Sequence, residues 1–308
     1  MAKKIVIGII VVIAIAGIGF FLIQNKNRIS SQTGKMQVAA SFYPLYFFAE
    51  QIAGDKADVF NITPAGIEPH DYELTAQDIA RIENSRLLIL NGGGLEPWAN
   101  NINQSIDSNR AIVVVAGEGW DANLIEENGQ NIVVDPHVWL NPVLAKQMVN
   151  KIAGGFAEAD PANRELYLAN ADSLKSKLSD LDKEYRSGLN NCAQRNVVAS
   201  HAAFGYLAAE YGLNQVSIAG LSPDAEPSSR QLAIIIKFAK DTNVRYIFFE
   251  SMVSPKLALT VAKEIGAETL LLNPLEGLSN EDLAQGKNYF TEMKANLKNL
   301  KIALQCQN

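Results

Sequence analysis

Basic clusters are missing from this sequence. Lys and Arg total 27 against 33 Asp and Glu, a formal charge of −6, and no Lys/Arg block occurs beyond short runs flanking an N-terminal apolar segment. A nucleic-acid surface, which needs clustered cations facing the phosphates, is argued against on that ground. Cysteine is nearly absent too, with Cys192 and Cys306 alone. In an exported chain an isolated pair suggests a disulfide, here tying the C-terminal tail to the start of the second half. Closing so large a loop would add about 4–5 kcal/mol in the chain-entropy account. Neither cysteine has a neighbouring His, so a reactive thiol is not expected. Histidine is scarcer still for the length, with three in 308 residues.

What is present is a substantial apolar core. Hydrophobic residues make up 48% and charged residues 19%, and the length accommodates two domains of ordinary size. The chain opens with Lys3 and Lys4, then an unbroken apolar run from Ile5 to Ile23, then polar residues 24–35. That run is about long enough to span a bilayer and has no polar face, so a buried core helix is a poor reading of it. The two lysines would stay in the cytoplasm and everything after the run would be exported. Ala14-Ile15-Ala16 resembles a cleavage site, but apolar residues continue past it. An uncleaved signal-anchor over residues 1–35 is therefore expected, with a periplasmic or secreted protein as the outcome if it is cleaved. No Cys follows the run, which argues against a lipid anchor.

From Met36 onward short β-type runs alternate with amphipathic stretches. Strands are predicted over Gln37–Ala40, Val59–Thr63, Leu87–Leu90, Ile112–Val115, Asn196–Ser200, Gln215–Ile218, Arg245–Phe249 and Thr269–Leu272. Helices are predicted over Leu45–Ala53, Thr75–Asn84, Pro142–Ala157, Ser229–Asp241 and Pro255–Ile265, with Thr75 and Asp78 in a loose capping-box relation. Such alternation predicts α/β architecture, with parallel sheets covered by helices. The middle differs: residues 161–189 carry no strand signal, and Leu166, Leu174, Leu178, Leu181 and Tyr185 recur at helical spacing. Asp160-Pro161 would open that helix and Gly188 close it. The organisation is two lobes, 36–159 and 190–308, joined by a rod over 160–189.

The three histidines sit in matching places. His70 follows the second strand, His137 lies in a loop entering a helix, and His201 follows the strand at 196–200, at the start of a helix through Phe204, Tyr206 and Leu207. Ligands in open α/β sheets bind at the carboxyl ends of strands, and imidazole is the commonest metal ligand. One such histidine alone is more often a satisfied surface or core residue; three out of three are not so easily set aside. A tetrahedral site needs a fourth donor, for which Glu250 and Glu276 stand at strand ends of the second lobe. Either could instead cap a helix or face solvent.

The segments Ser41-Phe42-Tyr43-Pro44, Glu68-Pro69-His70-Asp71-Tyr72-Glu73, Asp135-Pro136-His137-Val138-Trp139-Leu140, Ser200-His201-Ala202-Ala203-Phe204-Gly205-Tyr206 and Asn273-Pro274-Leu275-Glu276-Gly277-Leu278 resemble those of the zinc/manganese-binding solute-binding proteins of metal ABC transporters. The resemblance runs from about Met36 to the C-terminus. It implies two Rossmann-like lobes bridged by one long helix, and a metal held by His70 and His137 from the first lobe and His201 and Glu276 from the second. Glu250 would then stand behind the ligands, with Trp139, Phe204 and Tyr206 walling the site or serving as plain core.

Two departures bear on the metal. Trp120–Asp135 lacks the His-rich loop of many zinc-specific members, and His201 stands where manganese-type members usually place a carboxylate. Three imidazoles and a carboxylate suit Zn²⁺, with Mn²⁺ the alternative. The expected role is extracytoplasmic capture of one ion and delivery to an ABC permease and, through it, its ATPase. A monomer and no enzymatic activity are expected, with affinity falling as the pH drops toward about 6 and a small lobe shift on release. The rival from another class is a His₃ zinc hydrolase with Glu250 as base; a surface adhesin using the metal structurally is a third reading.

Overall fold

The structure, a computed structural model, describes residues 34–106, 110–120, 124–127 and 131–307. The apolar run Ile5–Ile23 lies outside these residues. Among the described residues no helix is long and apolar enough to cross a membrane.

The first lobe runs β1 (Met36–Ala40), α1 (Tyr43–Ala53), β2 (Ala57–Asn61), a 3₁₀ turn at Pro69–Asp71, α2 (Ala76–Glu83), β3 (Leu87–Leu90), α3 (Ala99–Ser105), β4 (Ile112–Val115), β5 (Leu124–Glu127), β6 (Asn131–Val134) and α4 (Pro142–Ala159). Its sheet has the order β2-β1-β3-β4 and is parallel, with Ala39 opposite Leu88 and Leu88 opposite Val113. All four residues of β3 are buried, as a central strand covered on both faces must be. Thr75 caps α2 in a full capping box with Asp78.

The second lobe repeats the plan with β7 (Asn196–Ala199), α6 (Gly205–Tyr211), β8 (Asn214–Ser217), α7 (Ser229–Asp241), β9 (Tyr246–Phe249), α8 (Lys256–Ile265), β10 (Glu268–Leu271), α9 (Asn280–Ala284) and α10 (Tyr289–Ala303). Its parallel sheet has the order β10-β9-β7-β8. Between the lobes runs one long helix, α5, over Arg164–Leu189. Its 26 residues span about 39 Å. It packs on α1 and α4 on one side and on α10 and α6 on the other. Tyr167, Ala171, Leu174, Leu178, Leu181, Tyr185 and Leu189 form its buried stripe.

The structure corrects several local expectations. Leu166 is exposed and Tyr167 takes the buried place, because the stripe steps by three and four residues from 167, one off the expected start. Gly188 does not end the helix. It lies in the last turn, where an added Cβ would come within 3.2 Å of Leu297, so the site is small to admit α10. His201 does not start a helix either, since α6 begins at Gly205. The antiparallel pair β5–β6 was not anticipated; its two four-residue runs are too short to announce themselves against the surrounding polar loop. The helices α3, α9 and α10 were also not anticipated.

Cys192 and Cys306 are joined by a disulfide. Around it Gln194 N donates to Leu304 O at 3.0 Å and Gln307 N to Asn191 O at 2.8 Å. The C-terminus is thus stitched to the segment leading into β7.

Candidate metal centre

Each of the four candidate donors is held by its own local device. His70 lies in the 3₁₀ turn, where Pro69 pre-sets the first φ and the Glu68 side chain accepts from His70 N at 3.5 Å. His137 lies between β6 and α4. One oxygen of Asp135 accepts from both His137 N, at 2.9 Å, and His137 Nδ1, at 2.7 Å. The loop is pinned from the sheet as well: Asn91 Nδ2 donates to Pro136 O at 2.9 Å. Asn91 is itself placed by buried Glu96, which accepts from Asn91 N and Ser41 Oγ, each at 2.6 Å, and from Gly92 N at 3.0 Å.

His201 follows β7 and Glu250 follows the neighbouring strand β9. Glu250 Oε1 accepts from His201 N at 3.2 Å and from His201 Nδ1 at 2.7 Å. Glu276 is carried by the loop after β10, beside Leu275, whose φ is +59°. A left-handed backbone at a leucine costs about 1–2 kcal/mol and persists where the surroundings over-determine it. Here Asn273 Oδ1 accepts from Leu275 N at 2.8 Å, and Asn296 brackets Asn273, accepting from its N at 2.8 Å and donating to its O at 2.6 Å.

These devices bring His70, His137, His201 and Glu276 together. His137 Nε2 lies 3.3 Å from His70 Nε2, 3.3 Å from His201 Nε2 and 3.0 Å from Glu276 Oε1. Glu276 Oε1 lies 3.2 Å from His201 Nε2 and 3.5 Å from His70 Nε2. The four atoms all lie within 4.8 Å of one another. A tetrahedral ion with bonds of about 2.0–2.1 Å separates its donors by about 3.3 Å. Five of the six edges of the cluster, at 3.0–3.5 Å, match that spacing. In both His137 and His201 the Nδ1 side is occupied by a carboxylate, which leaves Nε2 for a metal, the usual way an imidazole ligand is oriented.

Electrostatics agree with a site built for a cation. Burial alone would push the His201 imidazole down, but Glu250 and Glu276 outweigh it and hold it well above the usual histidine range. His137 is raised by Asp135 and Glu276 against the same opposing burial. Glu276, which burial would raise, is held well below the usual carboxylate range by His201 first and by hydrogen bonds to His137 and His70. Glu68, by contrast, is pushed up to about 9 by burial and by the charge of Glu276.

The chain matches the family described as ZnuA, zinc-uptake complex component A, periplasmic, over residues 38–303. It belongs to this family. Among its ZnuA-family relatives, the high-affinity zinc uptake system protein ZnuA of Bacillus subtilis is 43% identical over 290 residues, covering 91% of each chain. The zinc-binding lipoprotein AdcA of Streptococcus pneumoniae is 39% identical over 291 residues, 91% of this chain and 58% of that protein, so the chain spans little more than half of AdcA's length. The solved structure of the Zn(II)-bound ZnuA-like domain of that AdcA superposes with a TM-score of 0.77 at 39% identity, covering 88% of this chain and 99% of the domain. A ZnuA-family chain is a metal-binding component of transport, and the two-lobe architecture joined by a long helix is that of the ZnuA-like structures.

The remaining expected residues fall around the cluster. Trp139 is fully buried, its ring 5.2 Å from His137 centroid to centroid, and its Nε1 donates to Pro274 O at 2.8 Å. Tyr206 OH donates to Asp135 O at 3.1 Å, two residues before His137 rather than on the cluster itself. Phe204 is buried as core. Sequence reasoning gave no role to Asp135, Asn91, Glu96 or Glu68. Asp135 had a local signal, a carboxylate two residues before a loop histidine, which is the spacing of a side-chain turn. Asn91 and Glu96 had none, because their partners lie up to 55 residues away.

Proposed function

We propose that this chain captures one zinc ion between its lobes, with His70, His137, His201 and Glu276 as ligands, and delivers it to the permease and ATPase of an ABC transporter. One observation carries the reading: five of the six distances among the four donor atoms match the edge of a tetrahedron sized for zinc. The donor set supports zinc over manganese, since an oxygen-rich set would suit manganese better. Asp135 and Glu250 orient the rings. All four tetrahedral positions come from side chains, which leaves none open for a substrate or an activated water, so the role is binding and not catalysis.

The units of this reading are a first lobe over 36–159, a connecting helix over 160–189 and a second lobe over 190–308. The protein works outside the cytoplasm as a monomer, held at the membrane by its N-terminal apolar run after Lys3 and Lys4. The zinc uptake named for the relatives, one of them a lipoprotein, supports the extracytoplasmic, membrane-held location; the apolar run as anchor rests on the sequence alone.

The test is metal content of residues 34–308 purified without chelator, then competitive titration with Zn²⁺ and Mn²⁺. One equivalent of zinc, held far more tightly than manganese and lost in His201→Ala, is the expected result. Preferred manganese would overturn the choice of ion, and no bound metal would overturn the function.

A further inference from the structure

A cavity of about 320 Å³ lies beside the metal cluster and shares only Glu276 with the four donors. One wall belongs to the first lobe: Tyr43 and Tyr46 of α1, and the edge strand β2 with the residues that follow it. The other belongs to the second lobe, where Leu278 and Leu283 face it. The walls are tied together by Gly66 N, which donates to Leu278 O at 3.1 Å. Leu283 is 42% exposed and marks the rim.

Two polar groups that line this cavity lack a counterpart. Asn61 Oδ1 is buried and has no hydrogen-bond partner, and a buried acceptor without a donor is unfavourable and rare. The Arg81 guanidinium is stacked on Phe60, 3.8 Å from the ring centroid, a contact that holds it in place. Asp78, one turn earlier on α2, feels the Arg81 charge, but its carboxylate already accepts from Thr75 N, Thr75 Oγ1 and Tyr72 OH.

These groups define an occupant. A fixed guanidinium calls for a planar anion, a carboxylate above all. The amide oxygen calls for an N–H donor, and the tyrosine rings and leucines call for hydrocarbon. A metal cation is not what this lining selects, since Arg81 repels it. Water would supply the donor for Asn61 but neither the anion nor the apolar body.

We propose that the cavity is a second binding site, for a free α-amino acid with an apolar side chain. Its carboxylate pairs with Arg81, its ammonium group donates to Asn61 Oδ1, and its side chain lies against Tyr43, Tyr46 and Leu278. The volume stands at the lower end of small-molecule sites and suits a ligand of that size. None of these contacts is a metal donor, so the inference does not rest on the zinc-binding reading.

The experiment is isothermal titration calorimetry of L-phenylalanine and of L-leucine into the full chain in detergent, freed of metal. Saturable one-to-one binding of at least one of them is expected, with a Kd below about 1 mM. The corresponding amides, which lack the carboxylate, should bind about tenfold more weakly or worse. Arg81→Met keeps an apolar stem over Phe60 and removes the charge; it should raise the Kd by about tenfold as well, with zinc affinity and melting temperature as in wild type. Asn61→Leu should raise it roughly fivefold.

Saturable binding of neither amino acid would overturn the proposal. So would amides that bind as tightly as the acids, a result that needs no variant to fold, or a folded Arg81→Met that binds like wild type. A chain that takes the amino acid but no zinc would leave this site standing and overturn the function proposed above.

Discussion

The indole N–H of Trp139 donates to the main-chain carbonyl of Pro274 at 2.8 Å, joining the loop that carries His137 to the loop that carries Glu276. The bond crosses from one lobe to the other directly behind the ligands. Tyr289 OH closes the same bridge from α10, donating to Trp139 O at 2.6 Å. The two lobes are therefore fastened at the back of the metal cluster, and the geometry favours small loop movements at the mouth over a wide hinge on release.

Replacing Trp139 by Phe tests that fastening. The substitution leaves the Pro274 carbonyl buried without a donor, at a cost of about 1–3 kcal/mol. Chemical denaturation of the metal-free protein should register that loss. Zinc affinity should fall as well, because the Glu276 loop loses a support. A variant as stable as wild type would show that the bridge contributes nothing.

Glu250 holds His201 by two bonds from one oxygen without belonging to the cluster itself. Glu250→Ala is expected to reduce zinc affinity by about 10–100-fold, the usual effect of removing the group that orients a ligating imidazole. Glu276→Ala, which removes a donor, should cost more. Competition titrations on the two variants rank them directly, and a larger loss in Glu250→Ala would exchange the roles of the two carboxylates.

Zinc binding should expel protons. In the metal-free protein His137 and His201 are held above their ordinary range by Asp135, Glu250 and Glu276, so near neutral pH the cluster carries bound protons that the ion must displace. Affinity should therefore rise with pH while the rings are still protonated, by at most about tenfold per pH unit for each proton released, and level off once they are neutral. The stability of the metal-free protein moves the other way. A raised histidine contributes stability that is fully present below its unfolded pKa and is lost as the pH rises through its folded one. Calorimetry in two buffers of different ionisation enthalpy counts the protons; a count of zero would contradict the protonated cluster.

Asn91→Ala removes the strut between the first sheet and Pro136 O. With Asn91 fully buried, a loss of about 1–3 kcal/mol in stability is expected, together with weaker zinc binding because His137 is no longer fixed from behind. Thermal melts with and without zinc separate the two effects. If the zinc-induced rise in melting temperature equals that of wild type, Asn91 supports the fold alone.

The sequence by itself determined the alternation of strand and helix, the long helix through the middle, and the placement of three scarce histidines after strands or before a helix. Those properties are local: apolar period, capping residues and turn chemistry act within a few neighbours. Which carboxylate completes the cluster was decided by tertiary structure. Glu250 and Glu276 both stand at strand ends, and only the packed order β10-β9-β7-β8, with Leu275 held left-handed by Asn273 and Asn296, brings Glu276 Oε1 to the imidazoles while turning Glu250 to the far side of His201. The distant supports of the His137 loop were likewise beyond local reading, since Asn91 reaches Pro136 across 45 residues and Trp139 reaches Pro274 across 135. Hydrogen bonds of that span leave no periodicity in a chain; the first exists only once the first lobe has folded, and the second only once the two lobes have met.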